Sequence, residues 1–206
     1  MRVGIIGGTG GFGLALALRL REAGHDVVIG SRDAARAQEA AGELGVSGAA
    51  NQDAVRGVDV AILAVKAEGA LETATELSEA LGSTPLLCVA SELRFSKSGV
   101  RPAVEAQSLA ERVAERVSAP VVAGLHSLAA SNLGADEPPD EDTLLCGDDA
   151  AAKELVLELA GGLVSGRAVD AGPLASARAL EGMTAVIVNV NRRYRAHAGV
   201  RLTGLP

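Results

Sequence analysis

The chain has 206 residues and a formal net charge of −7, and 48% of its residues are hydrophobic although it contains only two Phe, one Tyr and no Trp. The acidic balance argues against a nucleic-acid partner, and apolar runs too short to cross a bilayer argue against a membrane protein. The length suits one large domain, or one domain with a small annex. Cys88 and Cys146 lie in apolar, strand-like runs, so we expect buried reduced thiols and a cytoplasmic protein.

The first thirteen residues predict a dinucleotide-binding turn. An apolar strand at residues 3–6 leads into a G-x-G-x-x-G motif, and an apolar helical pattern follows to about residue 23. In this context Gly8 permits a tight turn, Gly10 lets a pyrophosphate approach the backbone, and Gly13 allows helix and strand to pack closely. The phosphates would bind free N–H groups at the positive end of the helix. The predicted cofactor-binding residues here are Gly8, Thr9, Gly10, Gly11, Phe12 and Gly13, and the alternative is an ordinary glycine turn.

Strand and helix patterns alternate along the rest of the chain. Strands are expected at residues 27–30, 46–48, 59–65, 85–90, 120–125, 143–146 and 167–170. Helices are expected at residues 34–44, 69–81, 103–117, 150–160 and 174–194, and loops at residues 91–101 and 132–142. Asp148 and Asp149 precede a helix and are interpreted as helix caps, so no metal site is expected.

This alternation predicts an α/β protein with a Rossmann-type, doubly wound, mostly parallel sheet and a small C-terminal α/β extension that ends in a long helix. We expect an NADP-binding domain at residues 1–125. Residues 126–206 would form a small substrate and dimerisation part packed on it.

The residues after the second predicted strand favour NADP over NAD. An NAD-selective site usually has an Asp or Glu there, about 20 residues past the motif, but this chain has Ser31 and Arg32, with Arg36 one helical turn further on. Guanidinium groups and hydroxyls suit a dianionic 2′-phosphate. The alternative is a solvated helix start with surface arginines.

Other candidate residues follow strand ends, where ligands of such sheets gather. Ala64, Val65 and Lys66 end the fourth strand beside the expected nicotinamide, and Ala90 ends the next one. Lys66 could meet an anionic group of the second substrate, or could be a solvated lysine. His126 and Ser127 directly follow a strand and are proposed to position the substrate, although a lone histidine there is often structural.

Several stretches resemble the NADPH-dependent reductases of coenzyme F420, an 8-hydroxy-5-deazaflavin. They are IIGGTGGFG at 5–13, AGHDVVIGSR at 23–32, GLHSLAASNL at 124–133, CGDD at 146–149 and DAGPLASARALEGMTAVIVNV at 170–190. The resemblance implies hydride transfer between NADPH and the deazaflavin, a short C-terminal part packed on the nucleotide domain, and a homodimer.

Two loops depart from that family. It tends to have a proline- and aromatic-rich turn after the fourth strand, where this chain has KAEG at 66–69, and a proline-containing apolar turn after the fifth, where it has SELR at 91–94. Both loops should border the second ligand. Two alternatives therefore remain open: another NADP-dependent reductase with a flavin, imine or small carbonyl substrate, and a non-catalytic NADP-binding sensor.

The last predicted helix also favours a homodimer. A stripe of residues spaced by three or four can cover the sheet, namely Leu180, Met183, Ile187, Val190 and Tyr194. Ala179, Val186 and Val188 are apolar and lie off that stripe. A helix that is apolar on more than one side is buried on more than one side, and a second subunit would provide the second cover. The alternative is a monomer in which the helix and the tail fold back on their own sheet.

Overall fold

The computed structural model describes residues 1–103 and 105–205, and most of its strands form one open sheet. The strands are β1 Arg2–Ile6, β2 Asp26–Ser31, β3 Ser47–Ala50, β4 Val60–Leu63, β5 Leu86–Cys88, β6 Leu93–Ser96, β7 Gly99–Pro102, β8 Val121–Gly124, β9 Thr143–Gly147 and β10 Ala168–Asp170. The sheet has the order β10-β9-β8-β5-β4-β1-β2-β3, and β8 and β9 are its antiparallel pair. The predicted doubly wound, mostly parallel sheet is confirmed.

Helices cover both faces of this sheet. They are α1 Gly11–Glu22, α2 Ala34–Leu44, α3 Asn51–Ala54, α4 Ala67–Leu81, α5 Leu109–Ala114, α6 Ala130–Leu133, α7 Ala150–Gly161 and α8 Ala177–Tyr194, the last preceded by a 3-10 turn at Leu174–Ser176. Asp149 caps α7 as predicted, because its side chain accepts a hydrogen bond from the Ala152 N–H at 2.8 Å. Within the described residues, no helix is long and apolar enough to cross a membrane.

The core consists of two aliphatic layers, one on each face of the sheet. Ile5 belongs to the layer shared with Leu16 and Leu20 of α1, and its neighbour Ile6 belongs to the opposite layer. Successive residues of a strand point to opposite faces, so the continuous apolar run of β1 is buried on both sides. This explains how a chain with so few aromatic residues fills its interior with Ala, Val, Leu and Ile.

Two predicted elements were wrong between β5 and β8. Residues 91–101 are not a loop, because β6 and β7 form an antiparallel hairpin there. The helix predicted at 103–117 begins only at Leu109, after a capping box between Ser108 and Glu111. Val104, which falls in that prediction, lies outside the described residues. The buried carboxylate of Glu181 in α8 accepts hydrogen bonds from the N–H groups of Leu109 and Ala110, both at 3.0 Å, and so fixes where α5 begins.

The orientation of α8 also differs from the prediction. Its buried face is formed by Ala177, Leu180, Glu181 and Ala185. Most of the predicted stripe therefore lies at the margin of this face or points away from it, and the Tyr194 residue is 70% exposed. Val186, on the outer side, is 59% exposed. More of the apolar surface of α8 is therefore exposed than the predicted stripe implied.

Candidate functional site

A cleft of about 680 Å³ lies at the carboxyl ends of β1, β2 and β4. The predicted cofactor-binding residues that line it are Thr9, Gly10, Ser31, Arg32, Arg36, Ala64, Val65 and Lys66. These residues come from three separate stretches of sequence, and the parallel order of β2, β1 and β4 brings them together. A cleft at this edge is where ligands of open α/β sheets bind.

The backbone of the glycine turn leaves room beside it for a ligand. A Cβ atom added to Gly10 would meet only the Gly7 carbonyl oxygen, at 3.7 Å, so its missing side chain opens the cleft rather than the core. A Cβ on Gly13 would come within 2.7 Å of the Gly8 Cα atom, as expected where helix and strand pack closely. The first N–H groups of α1 lack partners within the helix. The turn can therefore accept a pyrophosphate.

The turn also depends on a glycine that the sequence analysis did not single out. Gly7, the residue before the motif, adopts the left-handed backbone conformation, with φ +74°. A Cβ on Gly7 would lie 2.6 Å from the Cγ1 atom of Val65. The Gly7 N–H also donates to the buried Asn51 side chain at 3.4 Å. Asn51 lines the cleft, and sequence reasoning missed it because a polar residue after a weak strand gives no periodic signal.

The end of β2 presents positive charge. Arg32 and Arg36 are exposed and line the cleft, and Ser31, the last residue of β2, is buried and also lines it. Asp33 is the nearby acid, but its carboxylate accepts hydrogen bonds from the N–H groups of Ala35 and Arg36 and thereby caps α2. Neither arginine forms an ion pair with a carboxylate in the part of the chain that the structure describes.

Several predicted site residues do not line this cleft. Gly8 and Gly13 serve the packing of the turn, Gly11 is exposed, and Phe12 is half-buried against the core. Ala90, His126 and Ser127 are buried and are absent from the lining of the cleft. The structure therefore separates the predicted residues into cleft-lining residues and residues that support the strand ends.

His126 is buried and directly follows a residue with an unfavourable backbone conformation. The preceding residue, Leu125, has φ +64°, which is unfavourable for a non-glycine residue. Both ring nitrogens of His126 and the hydroxyl of Ser127 are buried without a hydrogen-bond partner among the described residues. Burial lowers the pKa of His126 to about 4, and the Ala90 backbone acts in the opposite direction. The ring is therefore neutral near pH 7.

A short hydrogen-bond chain joins this segment to α8. The Thr184 hydroxyl donates to the His126 carbonyl at 2.9 Å, so Ser91 is the donor in the 2.8 Å contact between its hydroxyl and that of Thr184. Sequence reasoning missed both hydroxyls. Ser91 could have been found as a polar residue just past a strand, whereas Thr184 is identified only by the side of α8 that faces the strand ends.

A second cavity of about 470 Å³ adjoins the first. Its lining consists of Val65, Lys66, Ala67, Glu68, Ser91, Glu92, Leu93, Arg94 and Phe95. The cleft and this cavity share Val65, Lys66 and Glu68. The two loops that depart from the family pattern thus line one cavity beside the cleft, and two ligands bound there would meet at Val65.

The fold and the cleft define an α/β protein of the doubly wound, nucleotide-binding class. A family model described as "NADP oxidoreductase coenzyme F420-dependent" matches residues 2–90. The chain is 35% identical to an F420-dependent NADP reductase of Methanothermobacter thermautotrophicus, covering 100% of this chain and 96% of that protein. It is 37% identical to the enzyme of the same description from Methanothermobacter marburgensis, covering 100% of both chains.

A solved structure supports the same assignment. A candidate F420-dependent NADP-reductase from Arthrobacter sp. FB24 superimposes with a TM-score of 0.85 at 26% identity, covering 98% of this chain and 99% of that one. The chain belongs to the family of F420-dependent NADP reductases. The resemblance drawn from the sequence motifs is confirmed.

Proposed function

We propose that this protein is an oxidoreductase that transfers a hydride between NADPH and the deazaflavin coenzyme F420. Full-length identity to reductases of that description carries the proposal. The structure adds two adjoining cavities at the strand ends that share Val65. The coenzymes supply the redox chemistry, and the protein must hold their rings in contact and keep water away.

NADP is bound in the cleft, with its pyrophosphate at the turn around Gly10 and its 2′-phosphate near Arg32 and Arg36. Three features support this arrangement: the open space at Gly10, the two arginines that form no ion pair among the described residues, and the use of Asp33 as a helix cap. A carboxylate already used as a cap is poorly placed to select the ribose 2′-hydroxyl of NAD. Thr9, Ser31, Ala64, Val65 and Lys66 complete the wall of the cleft.

The deazaflavin ring occupies the second cavity. His126 and Ser127 position this region from behind, because the His126 carbonyl is tied through Thr184 to Ser91 in the cavity wall. Ala90 supports the same strand end. In this arrangement the neutral His126 ring fills space, its carbonyl accepts the hydrogen bond from Thr184, and it transfers no proton during turnover.

Substitution of Arg32 tests the cofactor assignment. A charge-assisted hydrogen bond contributes about 1.5–3 kcal/mol, so Arg32→Ala should weaken NADPH binding by about tenfold or more and leave NADH binding nearly unchanged. The control is Arg56→Ala. Arg56 is exposed and paired with Asp53, it lies in the connection before β4, and it does not line the cleft. Equal loss for both cofactors would contradict the assignment.

The absorbance change on mixing protein, NADPH and oxidised F420 tests the reaction itself. Oxidation of NADPH with F420 but not with free flavin supports the proposal. Faster turnover with free flavin, an imine or a small carbonyl compound would favour the alternative of another NADP reductase, which the altered loops 66–69 and 91–94 motivate. Tight NADPH binding without transfer to any acceptor would favour a sensor module.

We also propose that residues 1–125 bind NADP and that residues 126–206 contribute to substrate binding and to a homodimer. The outer side of α8 carries Val186, Val190 and Tyr194, none of which is buried. A second copy of the chain would cover this surface in a two-fold contact. Because Cys88 and Cys146 are buried free thiols, a cytoplasmic, reducing location suits the protein.

Light scattering tests the homodimer. A wild-type mass near 20.7 kDa would refute it. A mass about twice as large that falls to the monomer value in Val186→Glu would support it, because an ionised carboxylate is costly to bury in an interface. Gln38→Glu, which adds the same charge on an exposed position of α2, should leave the mass unchanged.

A further inference from the structure

The hairpin formed by β6 and β7, residues 93–102, concentrates positive charge in an acidic protein. Its ten residues include Arg94, Lys97 and Arg101, all exposed, and contain no Asp or Glu. Within residues 1–103 and 105–205, none of these three side chains forms an ion pair. The hairpin therefore carries uncompensated charge, although the chain as a whole has a net charge of −7.

The register of the hairpin places two of these charges side by side. Arg94 is directly opposite Arg101 in the antiparallel pair, so both side chains leave the same face. Like charges at directly opposed positions destabilise a hairpin. An anion bound between the two guanidinium groups would offset this repulsion.

Contacts with α8 fix which face of the hairpin remains free. The backbone N–H of Val100 donates to the Asn189 side-chain oxygen, and the Asn189 side-chain nitrogen donates to the Val100 carbonyl, both at 2.8 Å. Val100 is buried, and it pairs with Phe95 on the face opposite to the arginines. The hairpin is thus held through its Val100 side, which leaves the arginine face available to a ligand.

The hairpin adjoins the cavity proposed for the deazaflavin ring, and Arg101 is paired with the arginine that lines it. Arg94 lines that cavity together with Lys66. Of the two acids in the lining, Glu92 is neutralised by Arg112 at 3.2 Å. On the other face of the hairpin, the guanidinium carbon of Arg192 lies 5.6 Å from the centre of the Phe95 ring, so the end of α8 adds positive charge on that side.

We propose that Arg94 and Arg101, assisted by Lys66, bind phosphate or carboxylate groups on the flexible side chain of the deazaflavin coenzyme. This inference rests on the proposed function, because F420 carries an anionic side chain on its deazaflavin. Guanidinium groups make forked hydrogen bonds with phosphates and carboxylates, which suits two adjacent arginines to this task. The hairpin then selects the complete coenzyme over the bare chromophore, and the chromophore makes its contacts in the cavity.

Equilibrium binding of two ligands tests the proposal. The ligands are F420 and the same deazaflavin chromophore without its anionic side chain, and quenching of deazaflavin fluorescence reports binding of each. Arg94→Gln together with Arg101→Gln should weaken F420 binding by roughly tenfold or more and leave binding of the bare chromophore unchanged. Added salt should weaken binding of F420 to the wild type but not binding of the chromophore.

The matched control is Arg56→Gln together with Arg116→Gln, which removes the same charge at the amino-terminal edge of the sheet. It should bind both ligands as the wild type does. Equal loss of both ligands in the hairpin variant, or loss of neither, would overturn the proposal. Because binding is measured without turnover, a failure of NADPH to reduce F420 would refute the proposed function separately, and the two variants would still decide the role of the hairpin.

Discussion

Replacing Gly7 by alanine tests the geometry on which both cavities depend. Gly7 has φ +74°, and a Cβ atom there would lie 2.6 Å from Val65 Cγ1 and 3.2 Å from the Ala64 carbonyl oxygen. A non-glycine residue in this conformation costs about 1–2 kcal/mol, and a methyl group forced against a packed neighbour costs about 1–3 kcal/mol. We therefore expect Gly7→Ala to lower the free energy of unfolding by about 2–5 kcal/mol.

Urea unfolding of Gly7→Ala, Val65→Ala, the double variant and Gly11→Ala separates the backbone contribution from the steric one. In Gly7→Ala with Val65→Ala, the steric part should disappear and the backbone part should remain, so the two substitutions should couple by about 1–3 kcal/mol. Gly11→Ala is the control, because a Cβ there meets nothing within 4 Å, and its stability should stay within about 0.5 kcal/mol of the wild type.

Gly7→Ala should also weaken the binding of both NADPH and F420, because Val65 lines the cleft and the second cavity. A Gly7→Ala protein as stable as the wild type, or one whose loss is the same with and without the Val65 side chain, would refute the steric reasoning. A stable variant with unchanged affinity for NADPH and for F420 would show that the position of Val65 does not control the site.

Three further predictions concern the turn, the C-terminal segment and His126. Gly10→Val should fold normally but lose NADPH affinity by about tenfold or more, because its side chain would fill the cleft; titration of NADPH into the folded variant checks this, and unchanged affinity would place the phosphates elsewhere. Hydrogen bonds from Arg167 and from the Leu202 N–H hold the pKa of Asp142 well below its usual range, so its stabilising effect is full above pH 3.8 and is lost as the pH falls below that value. Asp142→Asn should therefore lower the urea midpoint at pH 7 and approach the wild type in acid, whereas Asp140→Asn, at an exposed neighbour, should not; an equal effect of both would contradict this. The His126 ring should stay neutral down to about pH 4, which NMR titration with the resonance assigned by His126→Gln would check, and a midpoint near 6.5 would contradict its burial.

Local sequence was sufficient to predict the parts of the fold that depend on neighbouring residues. The glycine motif, the apolar run of β4 and the arginines after β2 identify the cleft, because each is a short pattern with its own physical meaning. The cleft-lining role of Asn51 has no such pattern, because it arises from a hydrogen bond to Gly7, 44 residues away.

The hairpin and α5 show what local reasoning lacks. Residues 91–101 are polar and mixed, and the contact that holds the hairpin in place comes from Asn189, 89 residues from Val100. The start of α5 is fixed partly by Glu181, which is more than 70 residues away. Once the hairpin and α5 lie against α8, they determine which side of that helix is buried, so an apolar stripe read from the helix alone could not give its orientation.

The contact between Gly7 and Val65 connects the parts of the site. Hydride transfer requires the two rings to touch, and an error of about 1 Å in their approach is costly. Val65 stands between the cleft and the second cavity, and it can lie there only because Gly7 has no side chain. In the proposed arrangement, the glycine turn that binds the phosphates therefore also sets the wall against which the deazaflavin ring packs. This wall belongs to the end of β4, so the loops at 66–69 and 91–94 can change in sequence while the meeting point of the two ligands keeps its place.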